Sequence, residues 1–476
     1  DTIKQWRKLQ GISTGITTLT EIGGNSSTAI ENYINNAYNT WTVPPAAVLL
    51  LSDYQNSGDV YGITSPMWNS YCVSDNIYAD VNGDDLPEMH FARITAQNST
   101  HLQTMVGKFL DYERTPPTNP SFYNNPLFAC GYQTERWFFI CTEICLGFQD
   151  NVLNKSPVRE YAVYSGTPGS TWSTNQNTYM LINYFGPSGL GYIPSSPPTL
   201  SWNGSAAGIN NAINSGAYYL LHRDHGSITG WGEPSYNIGN LSGLNNTDLT
   251  FVLSINCLTG KYNNSTACFT EAFHRHQYGA LGLIAASEVS YSFVNDTYIF
   301  GLHDSMWPQF DPGYPSPELT GSNDLRPCMA NSYAKHYLQA SSWPYNPQHK
   351  VYTHHLFHHH GDAFITLYSE VPQQLTVNHN PALFAGMNTF TVTANDGALI
   401  GLTVNGDIIG VAEATGSAVS IPITPQLPGQ TMKVTITKAN YYRYTADVQV
   451  VPAAGAYIAY SSSVINDPTG NNNGMI

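Results

Sequence analysis

Apolar and polar positions follow two rhythms along this chain, and the change between them divides it. Near the start, "AIENYINNAYNTW" (29–41) places apolar residues at 30, 33, 34, 38 and 41, a helical spacing. "AAVLLLSD" (46–53) is instead an unbroken apolar run, as expected of a strand buried on both faces of a parallel sheet. "DTIKQWRKLQG" at the start and "HLQTMVGKFLDYE" (101–113) again read as helices, so the alternation predicts an α/β layer. The Pro/Asn-rich "RTPPTNPSFYNNP" (114–126) marks a boundary. Beyond it the pattern restarts, with strands near 127–132, 161–165, 217–222, 250–256 and 280–286 and helices such as "ACFTEAFHRH" (267–276) between them. From about 372 short alternating segments, among them "ALIGLTVNG" and "MKVTITKAN", follow one another with Asn/Gly turns and predict an antiparallel sandwich. Residues 453–476 read as a linker or tail.

Two of the buried strands end in reactive side chains. The run Ala217–Leu221 leads into "HRDHGS", and "TFVLSINC" ends at Cys257. Open parallel sheets carry function at the carboxyl ends of their strands. A thiol becomes a nucleophile when a base or positive field favours the thiolate, and imidazole is the usual supplier. His225 is that base in the sequence reading, and Gly226 lets a backbone amide approach a carbonyl oxygen. His222 competes, but it lies inside the strand and no glycine follows it. The plain alternative is a buried structural cysteine and a surface histidine.

Composition narrows the partners. Charged residues are only 11% of the chain and tyrosines number 32, with Asn, Ser, Thr and Gly supplying the polarity of a secreted protein. With 33 acidic against 18 basic residues the net charge is −15, which argues against a nucleic-acid partner. No apolar run reaches the roughly 20 residues of a membrane helix, so no transmembrane segment is expected. The abrupt start suggests a processed N-terminus. Seven cysteines leave at least one thiol free, and their spacing does not suit zinc. "DVNGDD" offers Asp80, Asn82 and Asp84, with Glu88 nearby, as oxygen ligands for calcium, or else an Asn-Gly hairpin turn. "HHLFHHHGD" (354–362) lacks an acid or thiolate framework and reads as a solvated histidine tract.

The element His225-Gly226-Ser227 with Trp231, followed by "INCLTGKYNNSTACFTEAF" (255–273), resembles the gingipain family of cysteine peptidases. "SDNIYADVNGDDLPEMHFARI" (74–94) resembles that family's calcium-bearing hairpin, and "HGDAFITLYSEVP" (360–372) its closing strand. The resemblance covers nearly the whole chain. It implies two caspase-like α/β subdomains with mostly parallel sheets, 1–126 and a catalytic 127–371, then an immunoglobulin-like β-sandwich over 372–452. It implies Cys257 as nucleophile, His225 as base and Glu135 as the acid that orients the imidazole, with the amides of Gly226 and Cys257 as oxyanion hole. It implies cleavage after Lys or Arg, with Asp296 receiving the substrate's cation, Phe293 as an aromatic wall, Glu143 as a competing acid and Trp231 beside the substrate. No cofactor is implied for catalysis, and calcium at Asp80, Asn82, Asp84 and Glu88 is expected to be structural. The expected partners are protein or peptide substrates and a retained N-terminal fragment from processing, and the expected location is extracellular or on the cell surface. A surface adhesin that kept the fold, and a transpeptidase using the same pair, are the alternative functions.

Overall fold

Eight strands form one sheet, and their sequences explain where it is buried. The strands are β1 (Ala47–Leu50), β2 (His90–Arg93), β3 (Leu127–Gln133), β4 (Val158–Ser165), β5 (Tyr219–Arg223), β6 (Phe251–Ile255), β7 (Gly282–Ala286) and β8 (Phe357–His360). The computed structural model describes residues 1–54, 62–317, 319, 321 and 324–453, so most of the expected tail lies outside the described residues. The sheet order is β1-β2-β8-β7-β6-β5-β3-β4. Every pairing is parallel except β7 with β8, where the direction reverses.

Every residue of β3, β5, β6 and β7 is buried, which their unbroken apolar runs anticipate. On one face Leu127, Leu220, Val252 and Leu283 meet Ile209 and Ile213 of helix Ala206–Ser215, and Phe269 and Phe273 of helix Phe269–Arg275. On the other, Tyr219 meets Phe128 at 5.9 Å and Trp307 at 6.3 Å between ring centroids. Its hydroxyl lies 3.0 Å from Nε2 of His303, on helix Val294–Met306. The fold is mixed α/β with a mostly parallel central sheet.

The domain boundaries differ from expectation in two ways. The chain forms two units, residues 17–372 and a second that joins 1–16 to the residues from 373 onward. No division falls near 126. β8 pairs with β2 on one side and β7 on the other, so the strands of both expected subdomains share one continuous sheet. The first helix, Thr2–Leu9, belongs to the C-terminal unit. A Cβ on Gly401 would lie 2.6 Å from the Leu9 carbonyl and from the Gly11 nitrogen, so only glycine lets helix end and strand meet there. Lys8 also pairs with Asp407 at 2.8 Å, and the Arg443 guanidinium lies 4.6 Å from the Trp6 ring. That unit contains a three-stranded and a five-stranded sheet, and Phe390, Val392 and Ile421 of the first share a core with Leu402, Val434 and Val448 of the second.

The histidine tract is not solvated. His354 and His355 end helix Lys350–Leu356, and His358, His359 and His360 occupy β8 in the middle of the sheet, all at most 2% exposed. The closing strand is therefore 357–360, and no strand follows over 361–372. These rings are accommodated as neutral imidazoles. Nε2 of His358 accepts from the Asp75 amide at 2.9 Å, and His359 stacks on Phe251. Residues 74–94 form a short helix (Asn76–Ala79), a turn and β2, and not a hairpin.

Burial holds His222 and His358 at about 3 and His359 at about 4, with His274, His354 and His360 also well below the ordinary imidazole value. Below about pH 6.5 the unfolded chain protonates these rings and the folded chain does not, so stability falls as pH drops from about 6.5 toward 4. One ring held at about 4 contributes about 3 kcal/mol of that loss by pH 4. Asp224, Asp304 and Asp311, raised by burial to about 7, and Glu271, raised to about 8, act in the opposite sense but are fewer. The melting temperature, followed by circular dichroism at constant ionic strength, is expected to fall steeply between pH 6.5 and 4. A flat profile across that range would contradict the neutral-imidazole core.

Candidate active site

Strands β5 and β6 run parallel in a register that pairs Ser254 with His222 and Ile255 with Arg223. Two residues beyond that last pair stand His225 and Cys257, so the sheet delivers both to the same edge. The backbones are in close contact there. A Cβ on Gly226 would lie 2.6 Å from the Cys257 carbonyl oxygen and from Oδ1 of Asn256. The chain after His225 folds into a small ribbon in which Gly226 pairs with Trp231 and Ser227 with Gly230. After Cys257 it turns sharply, with Leu258 at φ +63° and the Thr259 amide donating to the Cys257 carbonyl at 2.8 Å. A non-glycine residue in the left-handed region carries strain that its surroundings must hold. Asn256 supplies part of that hold, accepting from the Thr259 hydroxyl at 2.7 Å and donating to Nδ1 of His222 at 2.8 Å.

Among the described residues all seven cysteines are free, and Cys257 is the one that is not fully buried. Its sulfur accepts from the Ser290 amide at 3.4 Å. Cys268 is buried at the start of helix Phe269–Arg275, and burial pushes its thiol well above the ordinary value. Cys145 neighbours His303 at 3.7 Å but is buried within helix Phe138–Asn151.

His225 is half-buried, and burial with the Arg223 and Arg136 charges lowers it to about 4. Its ring is neutral at ordinary pH and free to act as a base. The tautomer follows from its neighbours. Gln133 donates through Nε2 to the Glu135 carboxylate, which can only accept, so Gln133 presents Oε1 to His225 Nε2 at 2.7 Å. The proton therefore sits on Nε2, leaving Nδ1 with its lone pair. Glu135, expected to orient the imidazole, is linked to it through Gln133. Tyr164 covers the ring at 4.2 Å, and a bulge puts it there: Tyr132 pairs with Val163 and Gln133 with Ser165, leaving Tyr164 as the extra residue. His222 is excluded as the base. It is completely buried and stacks on Trp231 at 4.2 Å, with Nε2 3.2 Å from the Glu233 carbonyl.

Three of the residues expected to meet substrate are occupied within the fold. Asp296 is fully buried, accepting from Nε of Arg223 at 2.6 Å and from the Phe293 amide at 2.8 Å. Glu143 is buried too, holding Arg159 at 2.8 and 3.1 Å and the Tyr161 hydroxyl at 2.6 Å. Neither carboxylate is free for a substrate cation, because each already has an internal one. Trp231 is 4% exposed and donates to the Ser254 hydroxyl at 2.8 Å, so it supports the strand end and does not face substrate. Phe293, at φ +73°, stands between Trp137 and the half-exposed Tyr345, each about 5 Å away between centroids. Sequence reasoning missed Arg223, Gln133, Tyr164, Asn256 and Ser290. Arg223 alone left a signal: a charge inside an apolar strand needs a buried partner.

In the turn before β2, one oxygen each from Asp80, Asp84 and Glu88 lie within 4.8 Å of one another, a donor set that fits a hard cation. Asn82 stands beside these carboxylates. Its Nδ2 donates to Glu88 and its Oδ1 accepts from the Asp84 amide.

The fold resembles the crystal structure of the Arg-specific cysteine proteinase gingipain R, with a TM-score of 0.76 at 18% identity over 94% of each chain. A solved complex of gingipain pro- and mature domains from Porphyromonas gingivalis gives 0.75 at 17% identity, over 94% of this chain and 96% of that one. In sequence the chain is 22% identical to a Lys-gingipain of Porphyromonas gingivalis over 441 residues, which is 90% of this chain and 23% of that protein's length. The chain thus spans about a quarter of that relative. The model of peptidase family C25 matches residues 1–368, well over half of the chain, and the chain belongs to that family.

Proposed function

We propose that this chain is a secreted cysteine endopeptidase that works through a Cys257–His225 pair and an acyl-enzyme. The observation that carries the reading is the strand-end geometry: the single accessible thiol and a neutral imidazole leave neighbouring parallel strands at one edge. In the structure the two side chains do not hydrogen-bond to each other, and the mechanism requires the ring to come within reach of the thiol. Nδ1 of His225 takes the thiol proton, and the Cys257 thiolate attacks the scissile carbonyl. The amides of Gly226 and Cys257 face the developing oxyanion. The imidazolium returns its proton to the leaving amine, and His225 then activates the water that releases the acid. Gln133 and Glu135 keep the tautomer this sequence requires. The C-terminal unit is read as an immunoglobulin-like accessory module. The solved pro–mature complex of a structural neighbour supports processing from a precursor with a retained N-terminal fragment. The Asp80–Asp84–Glu88 turn is read as a structural calcium site, and the chemistry draws on no cofactor.

Iodoacetamide is expected to alkylate Cys257 far faster than the other six thiols, and Cys257→Ala to fold but lose hydrolysis. Selective labelling of Cys145 or Cys268, read by peptide mass mapping, would remove the assignment.

The relay has its own signature. The acid limb of kcat/KM is expected near pH 4, where His225 protonates. Gln133→Glu puts a carboxylate on the ring, which favours the imidazolium and moves that limb to higher pH. Gln133→Leu is expected to lower kcat/KM by roughly 10–100-fold. An acid limb that stays in place in Gln133→Glu would show that Gln133 does not touch the working imidazole.

For calcium, chelation is expected to lower the melting temperature of the wild type, and Asp84→Asn to lose most of that response. Identical melting with and without chelator would return the three carboxylates to turn duty.

A further inference from the structure

The end of β7 and the segment after it lie against the nucleophile. The Ala286 carbonyl accepts from the Gly260 amide at 2.9 Å and the Glu288 carbonyl from the Leu258 amide at 3.1 Å. The Ser290 amide reaches the Cys257 sulfur at 3.4 Å. Side chains exposed by this segment and its neighbours therefore border the thiol, and they are aromatic. Tyr291 stacks on His349 at 3.9 Å and meets Tyr352 edge-on at 5.2 Å. Tyr352 in turn meets Trp68 at 5.0 Å and Tyr71 at 5.1 Å. All five rings are half-buried, so each keeps part of its surface open, and Val289 beside them is 43% exposed.

These rings are held in place. Trp68 and Tyr71 belong to a short hairpin in which Met67–Trp68 pairs with Cys72–Val73. Its turn carries Asn69 and Ser70 at φ +46° and +54°, and the Tyr71 amide closes it on the Trp68 carbonyl at 2.8 Å. Two hydroxyls pin the hairpin to the segment after β7. Ser287 donates to the Val73 carbonyl at 2.8 Å, and Tyr71 to the Val289 carbonyl at 2.6 Å. Rings fixed in this way lose little conformational freedom when they are covered, which favours binding. The attack at Cys257 and the proton transfers of His225 use none of them.

The chemistry of this aromatic shelf selects its occupant. Adjoining open rings gain by covering apolar surface. Glu288, the charged residue of the segment, is paired with Lys261, so the segment adds no net charge that would favour a charged side chain. An extended chain advances about 3.3 Å per residue, so rings stepping at about 5 Å reach across roughly two to four residues. We infer that the shelf is an extended substrate subsite, which takes an aromatic or aliphatic side chain of the polypeptide two to four residues from the scissile bond. This rests on the peptidase reading above and names a substrate feature for the same site. Continuity with Cys257 through Ser290 is what assigns the shelf to substrate.

The test is a set of peptide libraries in which the positions two to four residues from the scissile bond, on either side, are varied one at a time. The wild-type chain is expected to favour Phe, Tyr, Leu or Ile over Ser or Asp at one or more of these positions. The expected ratio in kcat/KM is roughly 3–10-fold, the value of one aromatic contact. Tyr291→Ser and Trp68→Ala, made separately, should each bring that ratio down toward one. The ratio is the readout, and damage to the nucleophile would slow all peptides alike and leave it in place. If one variant does not fold, the other and the wild-type libraries decide. A wild-type profile flat at every one of these positions would overturn the inference, as would a preference that survives both substitutions. A flat profile with a change of oligomeric state in the variants, read by light scattering, would give the shelf to a second copy of the chain. Failure to cleave any library member would remove the peptidase reading and this inference with it, whereas cleavage without the preference would remove the inference alone.

Discussion

The buried Arg223–Asp296 ion pair governs the site. It joins the end of strand β5 to the start of helix Val294–Met306. Two charges withdrawn from water hold each other firmly, and removing one partner of such a pair typically costs about 3–5 kcal/mol. The same carboxylate accepts from the Phe293 amide, so it also holds the strained turn that starts the helix. Burial keeps the His225 imidazole neutral, and the Arg223 charge adds to it. One pair thus ties the strand that leads to the base to the start of the helix.

That arrangement favours a particular kind of dyad. A histidine lowered to about 4 resists protonation, because its imidazolium would be half-buried and would sit near two guanidinium groups. The imidazole is thus neutral at rest. The Ser290 amide, aimed at the sulfur, and the turn at Leu258 position the nucleophile. The strain at Leu258 is held by Asn256, whose side chain reaches both Thr259 and His222. His222, although excluded as a base, is therefore part of the frame that positions the nucleophile.

How much of this could be read in the sequence depends on the range of the interaction. The central strands, the ends that carry His225 and Cys257, and the change of texture near 372 follow from local apolar runs, and the structure places them within a few residues of expectation. Whatever depended on a distant partner was not legible. Asp296 reads as a free pocket acid until Arg223, 73 residues away, is found against it. Gln133 gives no signal, because its role exists only once β3 lies beside β5. The five histidines misled for a different reason. A polar residue is usually a surface residue, but an imidazole that has given up its charge packs like an aromatic ring, and β8 uses it so. The first helix looked like part of the α/β layer because its spacing is helical, and spacing does not say which sheet a helix will cover.

The reversal at β8 also changes where the acidic turn stands. β2 runs with β8 and against β7, so the start of β2 lies at the same edge as the end of β7. The turn that carries Asp80, Asp84 and Glu88 leads directly into that start, and is therefore on the catalytic edge and not on the far one. Contacts complete the connection. Asp85 accepts from Nε2 of His355 at 2.8 Å, and His355 stacks on Trp68 at 4.5 Å. Trp68 and Tyr71 both meet Tyr352 at about 5 Å, and the Tyr71 hydroxyl donates to the Val289 carbonyl at 2.6 Å. Val289 precedes Ser290, whose amide faces the nucleophile. The acidic turn is thus joined to the loop that carries Ser290 through a chain of rings and hydrogen bonds.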